Sequence, residues 1–416
     1  MREAIESVQL EKLAVLFEAI RKGKNRFYTE KLGPDLLTKA DWDLADFKKR
    51  IPFTTKAELI HDRETAPPFG RNLNAPLREY SRFCQTSGST GTPLPWLDTG
   101  DSWEAMLAGW RRIFAASGLT DKEERVFFAF SFGPFLGFWT AFEAAASLDF
   151  LCLPGGGMSS EARLRCMERY EVTALCCTPT YALRLGALAA ELSLTLPNMK
   201  CLLVAGEPGG SIPETRKALE RLWPSARVVD HHGLTETGPV SHPHPERADC
   251  LAVMEESFLA EVIDSDTGDE VPEGEEGELV LTTLDRIGCP LLRYRTGDFV
   301  RKRYLPDLAL EGGILGRVDD MVLVRGVNIY PSAIEKVVRR VPTVVEYQVE
   351  ESIKDGMTEI VVAVEFTDGA DVVKGLQTLE GELRNDLQLR IPVRNVAPGS
   401  LPRYEFKSKR WIKHDC

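Results

Sequence analysis

The segment Gln85-Thr86-Ser87-Gly88-Ser89-Thr90-Gly91-Thr92-Pro93 puts five Ser/Thr hydroxyls and two glycines within nine positions. Glycine lets a backbone take positive φ and approach a ligand closely. Hydroxyls and exposed N–H groups in such a loop can form a concave nest for phosphate oxygens. No Gly-Lys-Ser/Thr follows, so the loop is not a Walker A loop. A second segment, His231-His232-Gly233-Leu234-Thr235-Glu236-Thr237-Gly238, sets a carboxylate beside hydroxyls and glycines. That composition suits Mg²⁺ bridging phosphates, because magnesium takes one or two protein carboxylates plus phosphate oxygens. In Arg293-Tyr294-Arg295-Thr296-Gly297-Asp298, read as a loop, the aspartate could accept both hydroxyls of a ribose. Two further segments are Gly316-Arg317-Val318-Asp319-Asp320, followed by Arg325-Gly326-Val327, and the cationic Arg403-Tyr404-Glu405-Phe406-Lys407-Ser408-Lys409-Arg410.

These segments lie hundreds of residues apart, so a fold must gather them. A chain of 416 residues suggests two domains, the larger one subdivided. With 43% hydrophobic and 27% charged residues the composition is that of an ordinary globular protein. A net charge of −12 argues against a nucleic-acid-binding surface, which needs clustered Lys and Arg. Nine cysteines, an odd number without regular spacing, read as reduced cytosolic thiols, and the expected localisation is cytoplasmic. The N-terminus shows no secretory segment. The most apolar stretch, 126–150, is broken by Ser131, Gly133, Pro134, Glu143 and Asp149 and makes a poor membrane span.

Apolar spacing predicts a helix over 2–23, and Thr55 with Glu58 has capping-box spacing. Asp101 or Ser102 is expected to cap a helix over 101–116. Strand patterns at 126–130, 150–153, 174–177 and 201–205 alternate with helices at 135–148, 159–170 and 181–191, which implies parallel sheet with right-handed crossovers. Ligands bind such sheets beyond the carboxyl ends of the strands, where the glycine-rich breaks at 133, 155–157 and 206–210 fall. From about residue 250 the pattern turns to antiparallel strands, and 316–416 mixes strands and helices. The expected fold class is therefore α/β: a large N-terminal domain of stacked α/β sheet layers with a small β-rich subdomain, then a small mobile α+β C-terminal domain. The boundary is set at 1–316 and 317–416.

In this order and spacing, the segments resemble those of the adenylate-forming superfamily of acyl-CoA synthetases and peptide-synthetase adenylation domains, with phenylacetate–CoA ligases the nearest likeness. The resemblance implies an ATP-dependent, AMP-forming acid–thiol ligase. A carboxylate attacks the α-phosphate of MgATP, and a thiol, usually that of coenzyme A, then displaces AMP. It implies that Thr86, Ser87, Ser89 and Thr90 hold the β- and γ-phosphates, that Thr235 meets the α-phosphate and that Glu236 binds Mg²⁺. Gly206, Glu207 and Pro208 would line the adenine site, and Asp298 and Arg317 would hold the ribose. Lys407 would reach the carboxylate and α-phosphate and stabilise charge in the transition state. Asp319 matches the hinge and Gly326 the entry of the pantetheine arm.

His232 stands where the superfamily most often has a tyrosine stacked on adenine, and Phe406 where it usually has glycine. His231 reads equally as a core or loop histidine. Ser131 to Trp139 matches the acyl pocket, so Phe135, Phe138 and Thr178 are candidate linings for a small aryl or arylacetic acid. His242, His244, Cys250 and Cys289 fall near a region that binds metal in some relatives. Their spacing matches no standard zinc pattern, and zinc is disfavoured. Transfer to an acyl carrier protein's phosphopantetheine is the rival to coenzyme A. A non-catalytic nucleotide-binding homologue is the other alternative, and a homodimer stays open. No nucleic acid or membrane partner is expected.

Overall fold

The computed structural model describes residues 2–23, 25–39, 41–86, 93–325, 327–354, 357–404 and 408–414. The chain forms two compact units, Met1–Gly157 with His231–Glu311, and Met158–Asp230 with Gly312–Cys416.

The first unit begins with helix Arg2–Lys22, which buries Leu13, Leu16, Phe17 and Ile20 as the spacing predicts. These side chains join Phe47, Trp96 and Tyr294 in one core. Helix Lys56–Thr65 carries the expected capping box: Thr55 accepts from the Glu58 N–H, and Glu58 accepts from the Thr55 N–H. Helix Gly100–Ala116 starts slightly earlier than expected. Its cap is Thr99, the last residue of strand Pro95–Thr99, whose extended backbone lets its side chain accept from the Ser102 N–H. Asp101 and Ser102 already lie in the first turn.

Strands Arg125–Phe128 and Leu151–Pro154 pair in parallel, and helix Leu136–Ser147 lies between them in sequence. The β-rich part is a six-stranded sheet in the order Ser241–Pro243, Cys250–Val253, Leu308–Arg317, Tyr294–Tyr304, Glu276–Thr283 and Phe258–Ile263.

In the second unit, strands Ala174–Cys177, Cys201–Val204 and Arg227–Asp230 run parallel and in register. The first two are buried at every position, which is why they read as continuous apolar runs. Helices Pro179–Glu191 and Pro213–Leu222 follow the first two strands. The remainder holds a four-stranded sheet in the order Val393–Asn395, Met357–Phe366, Val344–Lys354 and Trp411–Lys413. Helices Pro331–Val338 and Val372–Leu387 share its core through Ile334, Val337, Leu379 and Leu383. The chain is thus mixed α/β, with a β-rich sheet before an α+β C-terminal part. No disulfide joins the eight cysteines among the described residues. No helix among them is long and apolar enough to cross a membrane.

Candidate active site

Thr86 is buried where the hydroxyl-rich loop begins. Its N–H donates to the Leu94 carbonyl at 3.1 Å, and its Oγ1 accepts from the Leu94 N–H at 2.9 Å. Ser87, Ser89 and Thr90 lie outside the described residues.

Gly233–Leu234 and Gly238–Pro239 form a short antiparallel hairpin, and Thr235-Glu236-Thr237 is its turn. Gly238 has φ +84°, and a Cβ there would come within 2.8 Å of the Met106 side chain. A residue that sequence reasoning missed fixes this turn. Arg286 donates to the Thr235 carbonyl at 2.7 Å and forks onto Asp98 at 2.6 Å through both Nε and Nη2. Asp98 is 0% exposed and Arg286 2%. Thr235 is half-buried, while the Glu236 carboxylate is buried. Tyr294 Oη donates to Glu236 Oε1 at 3.3 Å, and Lys56 Nζ lies 3.4 Å from the same oxygen.

Asp298 does not sit in a loop as expected. It lies within strand Tyr294–Tyr304, buried, and its N–H donates to Thr296 Oγ1 at 3.0 Å. Its Oδ2 is 2.9 Å from His232 Nε2, so with Asp298 ionised the imidazole donates. The His232 N–H donates to Ser241 Oγ at 3.1 Å. His232 Nδ1 is buried and has no hydrogen-bond partner among the described residues. Strand Tyr294–Tyr304 therefore meets the hairpin region twice, at Glu236 through Tyr294 and at His232 through Asp298. The neighbouring His231 is a core residue. Its ring packs edge-on to Trp110 at 4.5 Å between centroids, and burial pushes its pKa down to about 3.

Phe135 and Phe138 stand together, 5.8 Å between centroids. Phe138 also stacks on Phe130 at 3.9 Å, and Phe130 meets Phe132 edge-on.

In the second unit, Gly206 turns the chain after strand Cys201–Val204 with φ +93° and is exposed, while Glu207 and Pro208 are half-buried. Glu207 Oε1 accepts from the Thr180 N–H at 2.9 Å, and its Oε2 accepts from the Ser408 N–H and hydroxyl at 2.9 and 3.1 Å. Thr178 caps helix Pro179–Glu191 by accepting from the Tyr181 N–H at 3.2 Å. Arg317 closes strand Leu308–Arg317, and exposed Asp319 lies in the single 3-10 turn Val318–Asp320 that follows. Gly326, Phe406 and Lys407 lie outside the described residues.

Among the described residues no group of three or more His, Cys, Asp or Glu is placed to hold a metal. Both His244 nitrogens are committed to backbone, Nε2 to the Leu305 carbonyl at 2.8 Å and Nδ1 to the Glu246 and Arg247 N–H groups. Cys289 is sealed in the core, and burial pushes its thiol up to about 12.

Residues 46–283 match the AMP-binding enzyme family, and residues 326–414 match the C-terminal domain of AMP-binding enzymes. The chain belongs to the AMP-binding enzyme family. This AMP-binding enzyme is 30% identical to a phenylacetate-coenzyme A ligase of Aromatoleum evansii, over 94% of the chain and 89% of the relative. It is 29% identical to a phenylacetate-coenzyme A ligase of Thermus thermophilus, over 97% of the chain and 95% of the relative. Among solved structures it is similar to 2-hydroxyisobutyryl-CoA ligase in the postadenylation state, with 26% identity and a TM-score of 0.89 over 98% of this chain and 89% of that one. The same ligase in its thioesterification state gives a TM-score of 0.71 over the same shares, at 27% identity.

The signals for the missed residues were weak. Tyr294 lies inside the Arg-Tyr-Arg-Thr-Gly-Asp motif, but nothing in that motif points to a target for its hydroxyl. Lys56, Asp98 and Arg286 have no motif around them, and Asp98 and Arg286 are 188 positions apart.

Proposed function

We propose that this AMP-binding enzyme is an AMP-forming acid–thiol ligase that activates a small aryl or arylacetic acid and passes the acyl group to coenzyme A. The observation that carries the reading is the double junction of strand Tyr294–Tyr304 with the hairpin region, at Glu236 and at His232. In this reading Glu236 serves the phosphates and Asp298 the ribose of one nucleotide, and the link of both to one strand supports it. The buried, unpartnered Nδ1 of His232 supports a polar ligand group there. The relatives with phenylacetate in their names and the cluster of Phe130, Phe132, Phe135 and Phe138 favour an aromatic acid.

In the first step an oxygen of the acid's carboxylate attacks the α-phosphorus of ATP, and pyrophosphate leaves with the electrons of the broken P–O bond. In the second the thiol sulfur attacks the acyl carbon, AMP leaves, and the thiol proton passes to solvent. Glu236 fits a magnesium ligand, being a buried carboxylate whose described partners both meet Oε1. Bound magnesium would offset the charge on the phosphates. Thr86, Ser87, Ser89 and Thr90 take the outer phosphates in this reading, and Thr235 takes the α-phosphate. Gly206, Glu207 and Pro208 line adenine, Asp298 and Arg317 hold the ribose, and Lys407 stabilises the transition state of the first step, at the carboxylate and α-phosphate. Phe135, Phe138 and Thr178 line the acid pocket, and Gly326 borders the path of the thiol. The division into domains 1–316 and 317–416 belongs to the same proposal, with Asp319 as the hinge. Its exposure on a single turn supports that role.

ATP–pyrophosphate exchange with a panel of aryl, arylacetic, fatty and amino acids tests the reading. Exchange with an aromatic acid is expected, and Lys407→Ala lowers it by roughly 10²- to 10³-fold. Thioester formation is then compared between free coenzyme A and a phosphopantetheinylated carrier, with coenzyme A expected to accept. No exchange with any acid, while calorimetry still detects ATP binding, would sink the proposal.

A further inference from the structure

The adenine-site reading assigns no bond to the Glu207 carboxylate. Glu207 Oε1 faces the N-terminus of helix Pro179–Glu191 and accepts the N–H of Thr180, one of the donors an α-helix leaves without an internal partner. A negative charge is favoured at that end of a helix. Its other oxygen takes both donors of Ser408. Two residues further on, buried Arg410 donates to Thr180 Oγ1 at 3.2 Å and to Glu346 at 2.6 and 3.2 Å. One carboxylate thus joins the start of this helix to the segment that follows Lys407 directly in sequence.

We infer that Glu207 is a positioning residue: its carboxylate latches Ser408, and with it the neighbouring Lys407, in the arrangement used for adenylate formation, and it must release Ser408 before thioester transfer. The inference rests on the proposed function, in which Lys407 serves the first step alone. Glu207 and Ser408 are half-buried, so water can replace the latch when it opens. The contact occurs in a chain that matches 2-hydroxyisobutyryl-CoA ligase more closely in its postadenylation state than in its thioesterification state.

Glu207→Gln tests the latch, because a carboxamide keeps one acceptor oxygen and cannot serve Thr180 and Ser408 together. The kcat of ATP–pyrophosphate exchange is expected to fall about tenfold, the loss of one charge-assisted hydrogen bond. The KM for ATP rises by less than kcat falls, and thioester formation from supplied acyl-adenylate falls by less than pyrophosphate exchange does. Ser408→Ala removes the hydroxyl but keeps the N–H, and costs about two- to threefold in the same kcat. Hydrogen exchange gives a readout without turnover. The amides of 408–414 exchange faster in Glu207→Gln, while those of strand Cys201–Val204 do not change.

An equal fall in both half-reactions, or a raised KM for ATP with unchanged kcat, would overturn the latch. Unchanged exchange at 408–414 would overturn it too. If the wild-type protein catalyses no pyrophosphate exchange, the proposed function fails instead, and the hydrogen-exchange comparison still decides whether Glu207 holds Ser408.

Discussion

Asp98 and Arg286 in the first unit are sealed from water and held by a two-pronged contact, as are Glu261 and Arg293. Glu207 in the second unit is half-buried and holds its partners through backbone N–H groups and one hydroxyl. The difference lies in what happens when the contact opens. Separating Asp98 from Arg286 leaves two charges without water, so this contact is expected to stay closed. Separating Glu207 from Ser408 exposes groups that water can satisfy, so that one can open. A nucleotide frame that keeps its shape and a C-terminal segment that changes partners, as proposed above, would call for these opposite treatments of charge.

The largest effect that sharpens the contrast comes from Asp98→Ala. It strands the Arg286 guanidinium, and stability falls by about 3 to 5 kcal/mol, read from the urea midpoint. A loss under 1 kcal/mol would mean that water reaches Arg286, and the contrast with Glu207 would collapse.

Next comes His231. Folded, it stays neutral down to about pH 3, whereas in the unfolded chain it takes a proton near its ordinary 6.5. Between those values the unfolded state binds the extra proton, so this contribution is full above pH 6.5 and is lost as the pH falls towards 3. Between pH 7 and 4.5 the wild type should lose about 2 to 3 kcal/mol more stability than His231→Phe. Parallel curves for the two proteins would remove His231 from the rigid set.

How far the sequence could be read shows in the same residues. The capping box at Thr55 and Glu58 needs only four neighbouring positions and was legible. So were strands Ala174–Cys177 and Cys201–Val204, whose burial on both faces leaves an unbroken apolar run. Strand Tyr294–Tyr304 was hidden because Thr296, Asp298 and Lys302 point inward where apolar residues would mark a strand. The motif that marked Asp298 as a candidate ribose ligand was also what disguised its secondary structure. The forks of Asp98 on Arg286 and of Glu207 on Thr180 and Ser408 depend on tertiary proximity and left no local pattern.

The smallest expected effect is at His232. His232→Phe removes one hydrogen bond to Asp298 but leaves an aromatic ring, so the KM for ATP should rise by about three- to tenfold with kcat little changed. An unchanged KM would detach His232 from the ribose-side carboxylate.

Strand Trp411–Lys413 pairs in parallel with Val344–Lys354, Trp411 opposite Val349. From Ser408 to Trp411 the backbone can span roughly 10 Å at most. The latched segment is therefore on a short tether. On the proposed release from Glu207, Ser408 stays within that reach of the sheet. A probe at Ser408 would therefore report the movement of the four-stranded sheet rather than that of a loose tail.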